Sequence, residues 1–193
     1  MSVAIVDLAY GNIGSIEIAL KRLGAKTLRT ADPAAIRGAE RVVLPGVGAA
    51  GYAMGRIDAL GLRETLTTLD QPLLGICLGM QLLFEESEED GAACLGLIPG
   101  KVRKLDPAPD RPVPHMGWSR LETRGDAPGL ATSDYVYFAH SFACDDGPHS
   151  IATAAYGRPV AAAVRRENVL GAQFHPERSS AAGARFLKAF LDS

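Results

Sequence analysis

A cysteine between two glycines, Gly75-Ile-Cys77-Leu-Gly79, follows the apolar run Leu73, Leu74 and Ile76 and precedes Leu78, Leu82, Leu83 and Phe84 at helical spacing. The run reads as a covered parallel strand, so Cys77 stands where a strand turns sharply into a helix. G-x-C-x-G is the thiol counterpart of the G-x-S-x-G elbow, in which missing side chains permit a strained turn and expose the nucleophile. Unpaired backbone N–H groups and the positive end of the following helix favour thiolate over thiol and receive an oxyanion. Taken alone, such a cysteine is also compatible with a small buried hydrophobe, and a base decides between the two.

His175 has the most informative setting of the four histidines, in Gly171-Ala-Gln-Phe-His-Pro-Glu177. Proline biases its predecessor towards extended geometry, and residues two apart in an extended segment face the same side. The Glu177 carboxylate is then placed to fix the His175 tautomer and stabilise its charged form, the orienting role of a triad's third member. His140, in Tyr-Phe-Ala-His-Ser-Phe, is the competing base, while His115 and His149 lie in Pro-rich or Gly-rich contexts typical of loops.

These groups need a scaffold, and the first half of the chain supplies one. Val3 to Val6, Lys26 to Thr30 and Arg41 to Leu44 read as strands. A helix carrying Ile13, Ile16, Leu20 and Leu23 and a short helix capped by Asp32-Pro33 separate them. The alternation predicts a parallel sheet with helices on both faces. Pro45-Gly-Val-Gly-Ala-Ala-Gly51 contains G-x-G-x-x-G, but at the exit of the third strand and without the following acidic strand end, which argues against a dinucleotide site. Its alternative use is to present the N–H groups of Gly46, Val47 and Gly48 to a developing negative charge.

Glu85 to Asp90 is an acidic run expected at a helix end as solvated surface. Trp118, in Pro114-His-Met-Gly-Trp-Ser119, reads either as core or as part of a partner-facing patch. Tyr135 to Phe142, Ser150 to Tyr156, Val160 to Arg165 and Val169 to Phe174 predict an antiparallel extension, closed by an amphipathic helix over Ser179 to Asp192.

With 193 residues, 47 % apolar and 22 % charged, the chain is sized for one domain, 1–193. A formal charge of -2 argues against nucleic acid or an acidic membrane as the main partner. Cys77, Cys94 and Cys144 are too few and scattered for a disulfide framework or metal cluster, and Cys94 and Cys144 read as packed side chains. With no basic leader and no apolar stretch of membrane-spanning length, a reducing cytoplasm is expected.

Leu74-Gly-Ile-Cys-Leu-Gly-Met-Gln81 and Gly171-Ala-Gln-Phe-His-Pro-Glu177 together resemble the class I (triad) glutamine amidotransferases. Within that family the chain is similar to the glutaminase subunits of imidazole glycerol phosphate synthase, in histidine biosynthesis. Pro45-Gly-Val-Gly48, Gly96-Leu-Ile-Pro-Gly100, Pro114 to Trp118 and Gly11-Asn12 carry that likeness, with departures at Leu8-Ala9, Ala50, Ser119, Phe142 and Arg178.

The resemblance implies a three-layer, flavodoxin-like, doubly wound mixed sheet with an antiparallel β extension. It implies Cys77 as nucleophile, His175 as base and then acid, and Glu177 as orienter. It further implies an oxyanion hole from Gly46, Val47, Gly48 and the N–H of Leu78, and glutamine held by Gln81, Glu89, His140, Ser141 and Phe142. Asn12, Pro114, His115, Met116, Gly117, Trp118 and Arg178 are expected towards a (β/α)₈-barrel cyclase subunit, which uses the ammonia to make imidazole glycerol phosphate and AICAR. No metal or organic cofactor is implied. A glutaminase subunit of another enzyme, such as pyridoxal phosphate synthase, and a non-catalytic module of the same fold are the alternatives.

Overall fold

The computed structural model describes residues 1–9 and 13–193. The expected turn at Gly11 and the partner contact at Asn12 lie outside the described residues. β1 (Ser2–Val6), α1 (Gly14–Arg22), β2 (Lys26–Thr30), α2 (Pro33–Arg37) and β3 (Arg41–Gly46) alternate as the sequence predicts. Asp32 caps α2 by accepting from the Ala34 N–H at 3.0 Å, with Pro33 in the first turn where no N–H is needed. Next come α3 (Ala50–Ala59), α4 (Leu62–Thr67), β4 (Leu73–Cys77) and α5 (Leu78–Gln81).

The second half runs through β5 (Glu86–Ser87), β6 (Ala92–Ala93), β7 (Lys101–Lys104), β8 (His115–Thr123), β9 (Tyr135–His140) and β10 (Phe142–Cys144). It continues with β11 (Ser150–Ala155), β12 (Pro159–Arg166), β13 (Val169–Ala172) and α6 (Ser180–Asp192).

The main sheet has the order β2-β1-β3-β4-β13-β12-β11-β8-β9. Its first five strands are parallel and follow the 2-1-3-4-5 pattern of flavodoxin-like folds. From β13 onward the pairing is antiparallel. Strand alternation explains the three layers. Val3, Ile5, Val43, Leu74 and Ile76 face one side, under α1 and α6; Ala4, Val6, Val42, Leu44 and Leu73 face the other, under α2, α3 and α4. Phe186, Leu187, Phe190 and Leu191 of α6 are fully buried, each contributing roughly 1.5–3 kcal/mol of transfer free energy. A smaller sheet, β10-β7-β5-β6, packs beside the first.

Four local expectations are corrected. The helix after Cys77 is a single turn: Leu82 to Phe84 are core residues in turns that lead to β5, so their helical spacing reflects burial rather than helix. A four-residue turn carries little macrodipole, which leaves its free N–H groups as the electrostatic asset. The acidic run is not a helix end but β5 followed by a 3₁₀ turn, Glu89–Gly91. The extended run from Tyr135 breaks at Ser141, with β9 in the main sheet and β10 in the small one. His115 is not in a loop: it begins β8, pairs in register with His140, and is buried.

Candidate active site

Cys77 ends β4 and caps α5 with φ 55° and ψ −113°, a conformation that L-residues avoid and that a tight strand-to-helix elbow imposes. Two glycines make the elbow possible by close approach. A Cβ on Gly79 would lie 1.8 Å from the Leu44 carbonyl oxygen, and one on Gly46 would lie 2.5 Å from the Gly79 nitrogen. β3 and the elbow therefore interlock, with Gly46 opposite Cys77 in the parallel register.

His175 does not end a strand. β13 stops at Ala172, and His175 caps a 3₁₀ turn, Pro176–Arg178, on which Glu177 sits. The turn, rather than extended alternation, brings Glu177 Oε1 to 2.9 Å from His175 Nδ1. The backbone of His175 is fastened to β9: its N–H donates to the Tyr137 carbonyl at 2.9 Å. The buried Ser179 hydroxyl accepts from the Tyr137 N–H at 3.0 Å and donates to the His175 carbonyl at 2.6 Å. The sequence shows Ser179 only as the start of the closing helix, because the Tyr137 N–H it accepts from lies on a strand 42 positions away.

With Nδ1 engaged by Glu177, Nε2 is the nitrogen left for the Cys77 sulfur, which interacts with the ring. Burial works against the charged imidazole. Hydrogen bonds to Cys77 and Glu177 and the attraction of both groups outweigh it, raising the His175 pKa to about 10. Glu177 Oε2 is buried and meets no hydrogen-bond partner among the described residues.

These groups open into a cavity of about 450 Å³ at the carboxyl ends of the parallel strands, where flavodoxin-like sheets place their ligands. Pro45 to Gly48, Gln81, Glu89, His140, Ser141 and Phe142 line it, together with Pro114, Met116 and Arg178. Gly48 has φ 82° and Val47 is exposed, so the oxyanion candidates form a surface-facing loop.

Glu89 accepts from the Ala50 N–H at 2.8 Å, which ties this wall to the start of α3. Burial raises its carboxyl pKa, partly offset by that hydrogen bond. Both Nε2 hydrogens of Gln81 are used, towards the Phe142 carbonyl at 2.7 Å and Gln173 Oε1 at 3.0 Å. Its carbonyl oxygen and the Glu89 carboxylate are acceptors on the cavity lining. Gln173, whose Nε2 lies 3.9 Å from the sulfur, was not among the expected site residues.

His140 is not placed to serve as base. It is buried, with Nδ1 on the Phe142 carbonyl at 2.8 Å and Nε2 on His115 at 3.1 Å, and burial lowers its pKa to about 4. His115, expected towards a partner, is 3 % exposed and stacks between Phe138 and Tyr156 at ring distances of 4.7 and 4.0 Å. Met116 and Trp118 on the same strand are 65 % and 51 % exposed, so the core reading of Trp118 is replaced by a surface one. Arg178 is exposed and lies over the Tyr137 ring at 4.3 Å. Cys94 and Cys144 are buried and packed, as expected. Among the described residues no cluster suited to a metal ion is present, and no helix is long and apolar enough to cross a membrane.

The profile of the family described as glutamine amidotransferase class-I matches residues 5–193. Over 193 residues the chain is 48 % identical to the imidazole glycerol phosphate synthase subunit HisH of Xylella fastidiosa, covering 98 % of this chain and 96 % of that one. It is also 48 % identical to the subunit of the same name from Idiomarina loihiensis, covering 100 % and 98 %. A crystal structure of a glutamine amidotransferase superposes with a TM-score of 0.77 at 22 % identity, covering 99 % of both chains. The structure of PurLQS from Thermotoga maritima superposes with a TM-score of 0.71 at 17 % identity, covering 99 % of this chain and 97 % of that one. At these identities the two structures speak for the fold alone.

Proposed function

Because the chain belongs to the class I glutamine amidotransferases, we propose that residues 1–193 form one glutaminase domain, the ammonia-producing subunit of a cytoplasmic imidazole glycerol phosphate synthase. One observation carries this reading: His175 is flanked by the Cys77 sulfur and the Glu177 carboxylate in the lining of a cavity with room for an amino acid.

The Cys77 thiolate attacks the side-chain amide carbon of glutamine. The N–H of Leu78 and those of the Gly46 to Gly48 loop receive the oxyanion. His175, protonated at neutral pH because its pKa is about 10, gives a proton to the departing ammonia. Once sulfur is bound in the glutamyl thioester, it no longer stabilises the imidazolium. Burial, the force that opposes the charge, then carries more weight and the imidazole becomes a base. It takes a proton from water, the hydroxide adds to the thioester, and glutamate leaves with the thiolate restored. The same residue is acid in the first half and base in the second because the charge beside it changes. Gln81 and Glu89 hold the substrate's α-ammonium, and the backbone of His140 to Phe142 its α-carboxylate.

Ammonia released into water at neutral pH is protonated and lost as a nucleophile, so the product requires a sheltered path. The face bearing Pro114, Met116, Gly117, Trp118 and Arg178 borders the cavity and suits a cyclase subunit, with buried His115 supporting it from behind. The test supplies amide-¹⁵N glutamine to the chain plus cyclase. The label is expected in imidazole glycerol phosphate, Cys77→Ala should abolish its transfer, and ammonium salts should restore synthesis. Transfer only with the synthase partner of another pathway would overturn the assignment.

A further inference from the structure

We propose that Gln173 is a positioning residue for the nucleophile, presenting a side-chain N–H to the Cys77 sulfur in an orientation dictated by one backbone carbonyl, that of Phe142. The inference rests on Cys77 being the nucleophile.

The Phe142 oxygen accepts from Gln81 Nε2 at 2.7 Å and from His140 Nδ1 at 2.8 Å. A carbonyl oxygen can only accept, so it settles the polarity of every group bonded beyond it. On one side, Gln81 must turn its NH₂ to Phe142, and the second hydrogen of that NH₂ reaches Gln173 Oε1 at 3.0 Å. With its oxygen engaged, Gln173 turns Nε2 towards Cys77 Sγ, 3.9 Å away. On the other side, His140 carries its proton on Nδ1, so its Nε2 accepts from His115 Nδ1 at 3.1 Å. His115 Nε2 in turn accepts from the Ser119 hydroxyl at 2.8 Å. This one-way order requires two neutral imidazoles, and burial lowers both pKa values to about 4. Gln81 and Gln173 are themselves buried, so water does not compete for their amides.

The sulfur also lies 3.9 Å from the Ala139 carbonyl, an acceptor suited to the protonated thiol. The Gln173 N–H is its counterweight, favouring the anion without adding charge. Position 142 acts in this network through its backbone, so phenylalanine is as competent there as tyrosine.

Gln173→Met keeps the side chain's length and removes its donor. Alkylation of Cys77 by iodoacetamide across pH, followed by mass spectrometry, requires no glutamine. The pH of half-maximal alkylation is expected to rise by about one unit, a tenfold smaller anion fraction at a given lower pH. In the complex, kcat should fall about tenfold with KM within about twofold, as for a group acting on the reacting atom rather than on substrate binding. The ionisable groups facing the cavity, His175, Glu177, Glu89, His140 and Arg178, are the same in the variant.

An alkylation profile coincident with wild type overturns the proposal, whatever happens to turnover. If the variant fails to fold, the ¹⁵N-labelled Gln173 amide of the wild type is followed against pH. Titration with the alkylation midpoint supports the proposal, and an invariant resonance overturns it. Should wild type hydrolyse no glutamine while the alkylation shift appears, the glutaminase reading fails and the positioning role stands.

Discussion

Replacing Glu177 by glutamine isolates the carboxylate's hold on His175. Glutamine keeps the shape and an oxygen for the 2.9 Å contact to Nδ1 but removes the charge. The pKa of His175 stands at about 10 against an ordinary 6.5, a displacement worth on the order of 4–5 kcal/mol between its two protonation states. Cys77 and Glu177 share that displacement while burial opposes it, so losing one partner's charge should lower the pKa by roughly one to three units.

The assay is an NMR titration of ¹³C-labelled imidazoles in wild type and Glu177→Gln. A folded-state pKa above the unfolded value stabilises the protein fully below about pH 6.5, and this contribution is lost as pH rises through about 10. Urea midpoints of the two proteins should therefore differ most at pH 6 and draw together towards pH 10. A His175 midpoint unmoved by the substitution, or a stability difference that grows with pH, would refute the reasoning.

Gly79→Ala should cost ~3 kcal/mol or more in urea unfolding, because its Cβ would lie 1.8 Å from the Leu44 carbonyl and force β3 from the elbow. Iodoacetamide near pH 8 should modify Cys77 alone in mass spectra. Burial raises the Cys94 thiol pKa to about 11 and that of Cys144 well above its ordinary value. Trp118→Ala should leave the thermal midpoint within experimental scatter, since the ring is 51 % exposed, yet weaken cyclase binding by about tenfold or more in calorimetry. Without cyclase, glutaminase turnover should be far below that of the liganded complex, because the family resemblance implies that the Pro45 to Gly48 loop becomes productive only there; equal rates would contradict this.

The parallel half of the fold was legible because its signals are local. The apolar strands and the Asp32-Pro33 cap each report on their own few residues. The elbow was legible for the same reason, since Gly75 and Gly79 bracket Cys77 in the chain. The depth of His115 was not. A proline-rich preceding loop resembles surface, and only the packing of Phe138 and Tyr156 on both faces of the ring buries it. The length of the helix after Cys77 was misjudged because buried turns share the apolar spacing of helices. The roles of Gln173 and Ser179 were not legible, because Gln173 meets Gln81, 92 residues away, and Ser179 joins its near neighbour His175 to Tyr137, 42 residues away, which no local pattern reports.

The central claim is that amide cleavage passes through a bond between the sulfur of Cys77 and the carbonyl carbon of glutamine. Acid quenching of the complex with cyclase during turnover of ¹³C-labelled glutamine, followed by peptide mass spectrometry, tests this directly. A labelled glutamyl group is expected on the peptide carrying Cys77, absent from Cys77→Ala and accumulating when Glu177→Gln weakens the base. Glutamate formed at the wild-type rate by Cys77→Ala, or a label on Cys94 or Cys144 instead, would contradict the account.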